Sequence, residues 1–152
     1  MAKKQKKMDL KNVWISFHSV HGCDDEEPDS LDFCTDGEYQ FLNDTGLLRY
    51  AESEVTGLEG THTCVTIRPG EVVVDRDGMV KSRMVFQEGA KNSFLYTTPF
   101  GQATMGVDTR RIHGRMDETG GKVEIDYVVD MEHAVVARNK FQITVRQMED
   151  RL

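Results

Sequence analysis

The sequence predicts an all-β fold, an antiparallel up-and-down barrel of about eight to ten strands. Three observations predict it. Nearly every segment between turn signals alternates apolar and polar residues with a period of two, as a half-buried strand does. Most connections are about two to four residues long, so consecutive strands are antiparallel neighbours. A meander of that length carries two unpaired edges, and closing it into a barrel removes them. A two-sheet sandwich is the alternative. It calls for longer crossovers than the chain offers.

The strands follow in order. Residues 13–20 set Val13, Ile15 and Phe17 against Ser16 and His18, and form the first strand. An acidic loop, residues 21–30, contains Gly22 and Pro28. Residues 31–41 place Leu31, Phe33, Tyr39 and Phe41 on one face and Asp32, Asp36, Glu38 and Gln40 on the other. Asn43-Asp44-Thr45-Gly46 is turn chemistry, short polar side chains followed by a glycine free to take φ > 0. Strands three and four span residues 47–55 and 61–68, with Pro69-Gly70 next as the centre of a type II turn. Strand five, residues 71–76, ends at Asp77-Gly78, a two-residue hairpin signal before strand six, residues 79–87. Strand seven is residues 92–98. Thr98-Pro99-Phe100-Gly101 has the proline and glycine spacing of a type I turn. Strand eight, residues 102–113, is long enough to expect a bulge near Gly106. A turn at 117–121, strand nine at 122–130 and a final strand at 133–147 complete about ten strands with no helix.

The bulk properties fit one domain. At 152 residues the chain can bury a core without disulfide or metal. Residues 1–12 are expected to be a basic flexible tail, residues 13–147 the barrel and residues 148–152 a charged tail. Net charge is −7, which repels a phosphate backbone and argues against nucleic acid, despite Lys3-Lys4-Gln5-Lys6-Lys7. The apolar runs are too short for a spanning helix, so no membrane association is expected. Three cysteines without a C-x-x-C pair point to a reducing cytoplasm.

Several motifs come in a recognisable order: Thr35-x-Gly37, Tyr50-x-Glu52, Arg76-x-Gly78, Met84-x-Phe86, Tyr96-Thr97-Thr98-Pro99-Phe100-Gly101, Thr109 and Asn139-x-x-x-Ile143-x-Val145. Over residues 13–147 the chain resembles the bacterial proteins grouped as DUF1934, the YwiB-like family. That resemblance implies a calycin-like barrel, related in form to lipocalins and fatty-acid-binding proteins, and implies no biochemical activity. His18, His21 and Cys23 fall outside the pattern.

The candidate site starts from Tyr50, Glu52 and Glu54, which alternation places on one strand face with Leu48. Apolar residues are split between the two faces of that strand, so periodicity leaves open whether the glutamates point inward or to water. Pointing inward, they need partners, because an unpaired buried carboxylate is costly. Arg76, Arg83, Tyr96 and Tyr127 are the available donors, and Arg76, Tyr96 and Tyr127 are expected around a ligand. Thr109 and Asn139 are polar residues on otherwise apolar faces, and Asn139 is either a structural pin or part of a cavity lining. Glu52 and Glu54 lack the opposed geometry of a glycosidase pair. His18, His21, Cys23 and the His62-x-Cys64 pair bear metal-ligating atoms without a second tight pair, and neither metal nor cofactor is expected. The function read from these residues is non-enzymatic binding of a small polar or amphipathic ligand inside the barrel. The alternatives are a filled barrel that serves protein interaction, and an enzyme using Glu52 or Glu54. A homodimer is left open.

Overall fold

The computed structural model describes residues 10–22, 29–131 and 134–148. Ten antiparallel strands make one sheet: β1 (Lys11–Gly22), β2 (Asp29–Leu42), β3 (Thr45–Ala51), β4 (Thr61–Arg68), β5 (Glu71–Gly78), β6 (Ser82–Gln87), β7 (Lys91–Thr98), β8 (Gly101–Asp117), β9 (Gly120–Met131) and β10 (Ala134–Gln147). Each strand pairs with its sequence neighbour, with one exception. The order runs β6-β5-β4-β3-β2-β1-β10-β9-β8-β7, so the first and last strands are paired inside the sheet and its two ends are β6 and β7.

The barrel therefore closes at a seam between two strands that are consecutive in sequence. One bridge, Lys81 to Thr97, spans it in place of a ladder, with N–H···O bonds of 2.9 Å in both directions. The Asn92 side-chain amide donates to Val85 O at 3.1 Å and supplies another link. Near the turn at 88–90, Gly89 N donates to Thr109 O and Thr109 N to Ala90 O, which ties the turn to β8. The β8–β9 register shifts between Thr109 and Arg111, three residues beyond the expected bulge position at Gly106. Gly106 serves a different need. A Cβ there would stand 2.7 Å from the Asp130 carboxylate, which pairs with Lys91 Nζ at 2.7 Å.

The ladder registers put the alternating apolar set on one continuous inner face. Phe17 lies opposite Phe33 and Ile143, Tyr39 opposite Leu48, Leu48 opposite Val65, and Val65 opposite Val74. One end is packed shut by Val13, Ile15, Tyr39, Leu48, Val72 and Val145, all buried. There the Tyr39 hydroxyl donates to Asp117 O at 2.6 Å, and its ring lies 3.2 Å from where a Gly46 Cβ would sit. Gly46 is thus a packing position inside β3. The turn before it is made by Asn43 and Asp44, at φ 53° and 56°, the positive-φ pair of a tight hairpin.

Other boundaries also move. Lys11 pairs with Tyr39 and Asn12 with Glu38, so the barrel begins within the expected tail. Asp77 and Gly78 continue β5, opposite His62 and Thr61, in place of turning the chain. Gly78 is needed because a Cβ there would meet Gly60 O at 2.2 Å. Strand three stops at Ala51, since residues 54–57 form a turn.

Candidate functional site

The connections at 52–60, 79–81 and 99–100 gather at the end of the barrel opposite Tyr39, together with the ends of β1, β2, β9 and β10. Interior-face residues in this half are only partly covered. Phe33, Arg76, Met84, Tyr96, Met105, Tyr127 and Phe141 all point inward by register yet are half-buried, so this end of the interior, called the vestibule below, is less tightly sealed than the base at Tyr39.

Glu52 sits at its wall. Its side chain is 2% exposed and lies just past the end of β3, where its N–H donates to Thr61 O at 2.9 Å. The carboxylate accepts from Thr56 Oγ1 at 3.0 Å and from the Thr63 hydroxyl. Arg76 on β5 brings Nε to 3.8 Å from Glu52 Oε2, an ion pair too long for a hydrogen bond. Arg76 also directs Nη1 toward Met84 Sδ at 3.8 Å. Arg76 Nε, Ser82 Oγ and Thr109 Oγ1 are buried with no hydrogen-bond partner among the described residues. Arg76 and Ser82 face each other directly across β5 and β6, so two of these three atoms belong to one locus.

Aromatic rings continue the wall. Phe17 stacks on Phe33 at 4.7 Å and on Phe141 at 5.6 Å, with interplanar angles of 23° and 20°. Tyr50 lies 5.1 Å from Phe17, and Tyr127 meets Phe86 edge-on at 4.8 Å. Burial, then the Glu52 charge, pushes the Tyr50 hydroxyl above its usual range, with Arg76 opposing. Burial likewise raises Tyr127, again against Arg76. Both tyrosines thus stay neutral hydrogen-bonding groups within the field of Arg76.

The residues expected from sequence divide accordingly. Tyr50, Glu52, Arg76, Tyr96, Thr109 and Tyr127 share the inner face. Glu54 does not: it is exposed in the turn at 54–57, because the chain leaves the strand at Glu52. Asn139 is buried on the inner face, where its side-chain oxygen is held by His21 Nδ1, so it is pinned to β1. His21 was expected in the acidic loop and instead belongs to β1. Ser82, Phe33 and Phe141 were missed. Alternation marks the two phenylalanines as inward, but Ser82 becomes visible only as Arg76's cross-strand neighbour.

Between β2 and β3 the wall opens. Their ladder ends at Glu38 and Arg49, and a cleft of about 520 Å³ lies beyond, lined by Thr35, Gly37, Tyr50 and Thr63 from the inner face and by outward residues including Asp36 and His62. Most of its lining faces outward, and it reaches the inner face at Thr35, Gly37, Tyr50 and Thr63. His62 and Cys64 share the outer face of β4, opposite Asp77 and Asp75. Among the described residues, no three His, Cys, Asp or Glu side chains are placed to hold a metal ion. Cys23 lies outside the described residues.

Fold and site together define a nearly closed, ten-stranded antiparallel β-barrel with a charged and aromatic interior at one end. The chain belongs to the family described as Domain of unknown function (DUF1934), which matches residues 15–143. It is 32% identical over 104 residues to the "Uncharacterized beta-barrel protein YwiB" of Bacillus subtilis (strain 168), covering 68% of this chain and 72% of that one. It is also similar in structure to the crystal structure of the ywiB protein from Bacillus subtilis, with a TM-score of 0.82 at 26% identity, covering 93% of this chain and 96% of the other.

Proposed function

We propose that this barrel is a cytoplasmic, non-enzymatic binder of a small polar or amphipathic molecule held in the vestibule. One observation carries the reading: Arg76 Nε, buried and without a hydrogen bond, faces the Glu52 carboxylate at 3.8 Å, and Ser82 Oγ, also buried and unpartnered, belongs to the residue opposite Arg76 on the β5–β6 ladder, at the half-covered end of the interior. Buried polar atoms are ordinarily satisfied, so unpartnered ones close to the half-covered end of the interior support a partner from outside the chain. The cleft at Tyr50 is of the size that small ligands occupy, about 300–1,000 Å³. The carboxylate has one arginine and three hydroxyls on it, those of Thr56, Thr63 and Tyr50, and faces no second carboxylate among the described residues, an arrangement that does not favour acid–base chemistry.

A protein-interaction barrel is the second reading, and Phe100 favours it. Its side chain is fully exposed at the open end, in a turn held by Thr98 Oγ1, which accepts from Phe100 N and donates to Gly101 O, both at 3.1 Å. Native mass spectrometry of the gently purified protein separates the two. The binder reading expects an adduct of discrete small mass, lost in Arg76→Ala and kept in Phe100→Ala. A bare chain mass in the wild type overturns it.

A further inference from the structure

The β2–β3 ladder stops early and leaves a strand edge uncovered. β2 pairs with β1 from Asp29 to Tyr39, but with β3 only from Glu38 to Leu42. From Asp29 to Gly37, β2 therefore has a strand on one side only among the described residues. The hairpin fixes which backbone groups are left open. Asn43 and Asp44 make a two-residue turn, so Leu42 and Thr45 are its hydrogen-bonded closing pair. Every second pair beyond them is hydrogen-bonded in turn, Gln40 with Leu47 and Glu38 with Arg49. By the same alternation Cys34, Asp32 and Ser30 aim N–H and C=O at the open side, while Phe33 and Leu31 use theirs on β1. An edge of this kind is a template for one more strand.

The side chains along the edge restrict which strand can add. On the outer face Asp32, Cys34 and Asp36 are exposed. Asp32 meets His18 Nδ1, yet its side chain stays 72% exposed. The cleft past Glu38 continues this acidic surface with Asp75 and Asp77, against Arg49. On the inner face Leu31 is exposed and Phe33 half-buried. A second copy would bring the same carboxylates to this edge, in a chain of net charge −7, and like charges across a strand pair are destabilising. Basic side chains at the outer positions of an added strand are instead paired by Asp32 and Asp36. Apolar side chains at its inner positions cover Leu31 and Phe33.

We infer that the free edge of β2, from Ser30 to Cys34, accepts a strand from another protein, an extended peptide segment in which lysine or arginine alternates with apolar residues. Occupancy of this edge does not depend on what the vestibule holds.

The test is a titration of the full-length, ¹⁵N-labelled protein with short peptides capped at both ends, read by amide hydrogen exchange. The first peptide alternates lysine and valine. The second is the same peptide with every backbone N–H methylated. The third carries glutamate for lysine. The expected result is that the lysine peptide slows exchange at Asp32 and Cys34 and leaves Phe33 unchanged. The methylated peptide should bind at least about tenfold more weakly, because its ladder bonds are lost. The glutamate peptide should not bind, and added salt should weaken the lysine peptide. Cys34→Pro removes an N–H on the open side and keeps the β1 ladder, so it should weaken the lysine peptide about fivefold. Asp32→Lys combined with Asp36→Lys changes only exposed side chains and should turn the preference toward the glutamate peptide. Equal binding of the methylated and unmethylated peptides, or unchanged exchange at Asp32 and Cys34, overturns strand addition, as does no binding at all. Slow exchange at these amides in the dilute free protein would place another segment of the chain on the edge. Slow exchange only in the concentrated protein would place a second copy there. Either result overturns the outside partner.

Discussion

Glu52 carries the energetic tension of this interior. A carboxylate moved out of water without partners costs several kcal/mol, and here Thr56, Thr63 and Arg76 share the task of holding it. Removing one member of the Arg76 pair leaves the other charge buried, whereas removing both replaces an ionic locus with an apolar one. Glu52→Ala is accordingly expected to cost about 3 kcal/mol, and Arg76→Met a similar amount. The double variant should be less destabilised than the sum of the two by about 2 kcal/mol. Urea unfolding midpoints of the four proteins check this. Additive effects would mean that Arg76 and Glu52 do not sense each other.

At the scale of the strand, the glycines of this chain do two different jobs. Gly78 lies in β5 at φ +144°, and a Cβ there would press to 2.2 Å from Gly60 O. It permits β4 and β5 to stay in contact up to the open end, which keeps Arg76 and Thr63 opposite each other. Gly89, at φ +79°, has open space around it and serves only the turn between β6 and β7. Gly78→Ala should therefore cost about 2–3 kcal/mol, through backbone displacement on top of strain. Gly89→Ala should cost about 1 kcal/mol, the left-handed penalty alone. Thermal unfolding of the two variants side by side tests the distinction, and equal losses would remove the steric account of Gly78.

The whole molecule closes unevenly. The β1–β10 ladder is continuous from Val13 to Gly22, while β6 and β7 share the one bridge at Lys81 and Thr97. Opening free energy follows the density of backbone pairing and packing around a segment. Amide hydrogen exchange should accordingly be faster across β6 and β7 than in β1 and the paired part of β10, with the difference greatest between Ser82 and Gln87. Uniform protection around the barrel would show that side-chain packing alone holds the seam. The seam also borders Ser82 and Tyr96, so ligand in the vestibule should slow exchange there first.

Strand identity and the all-β class were legible in the sequence because alternation is a local property. Leu31 to Phe41 shows its two faces without any knowledge of what lies beside it, and Thr61 to Arg68 has the same bounds in sequence and structure. The short connections carried the meander as well, since a tight turn leaves no other neighbour for the next strand. The orientation of Tyr50 and Glu52 was not legible, because Leu47 and Leu48 divide the apolar signal of β3 between its faces. Only pairing with Tyr39 on one side and Val65 on the other turns Leu48, and with it Tyr50 and Glu52, to the inside. The loss of Glu54 from the set, the seam at β6 and β7, and the meeting of Arg76 with Ser82 are likewise products of register. Register is settled between strands by the burial of a shared face. By itself the sequence determined that a barrel would form. The tertiary structure decided which of its polar residues the barrel would enclose.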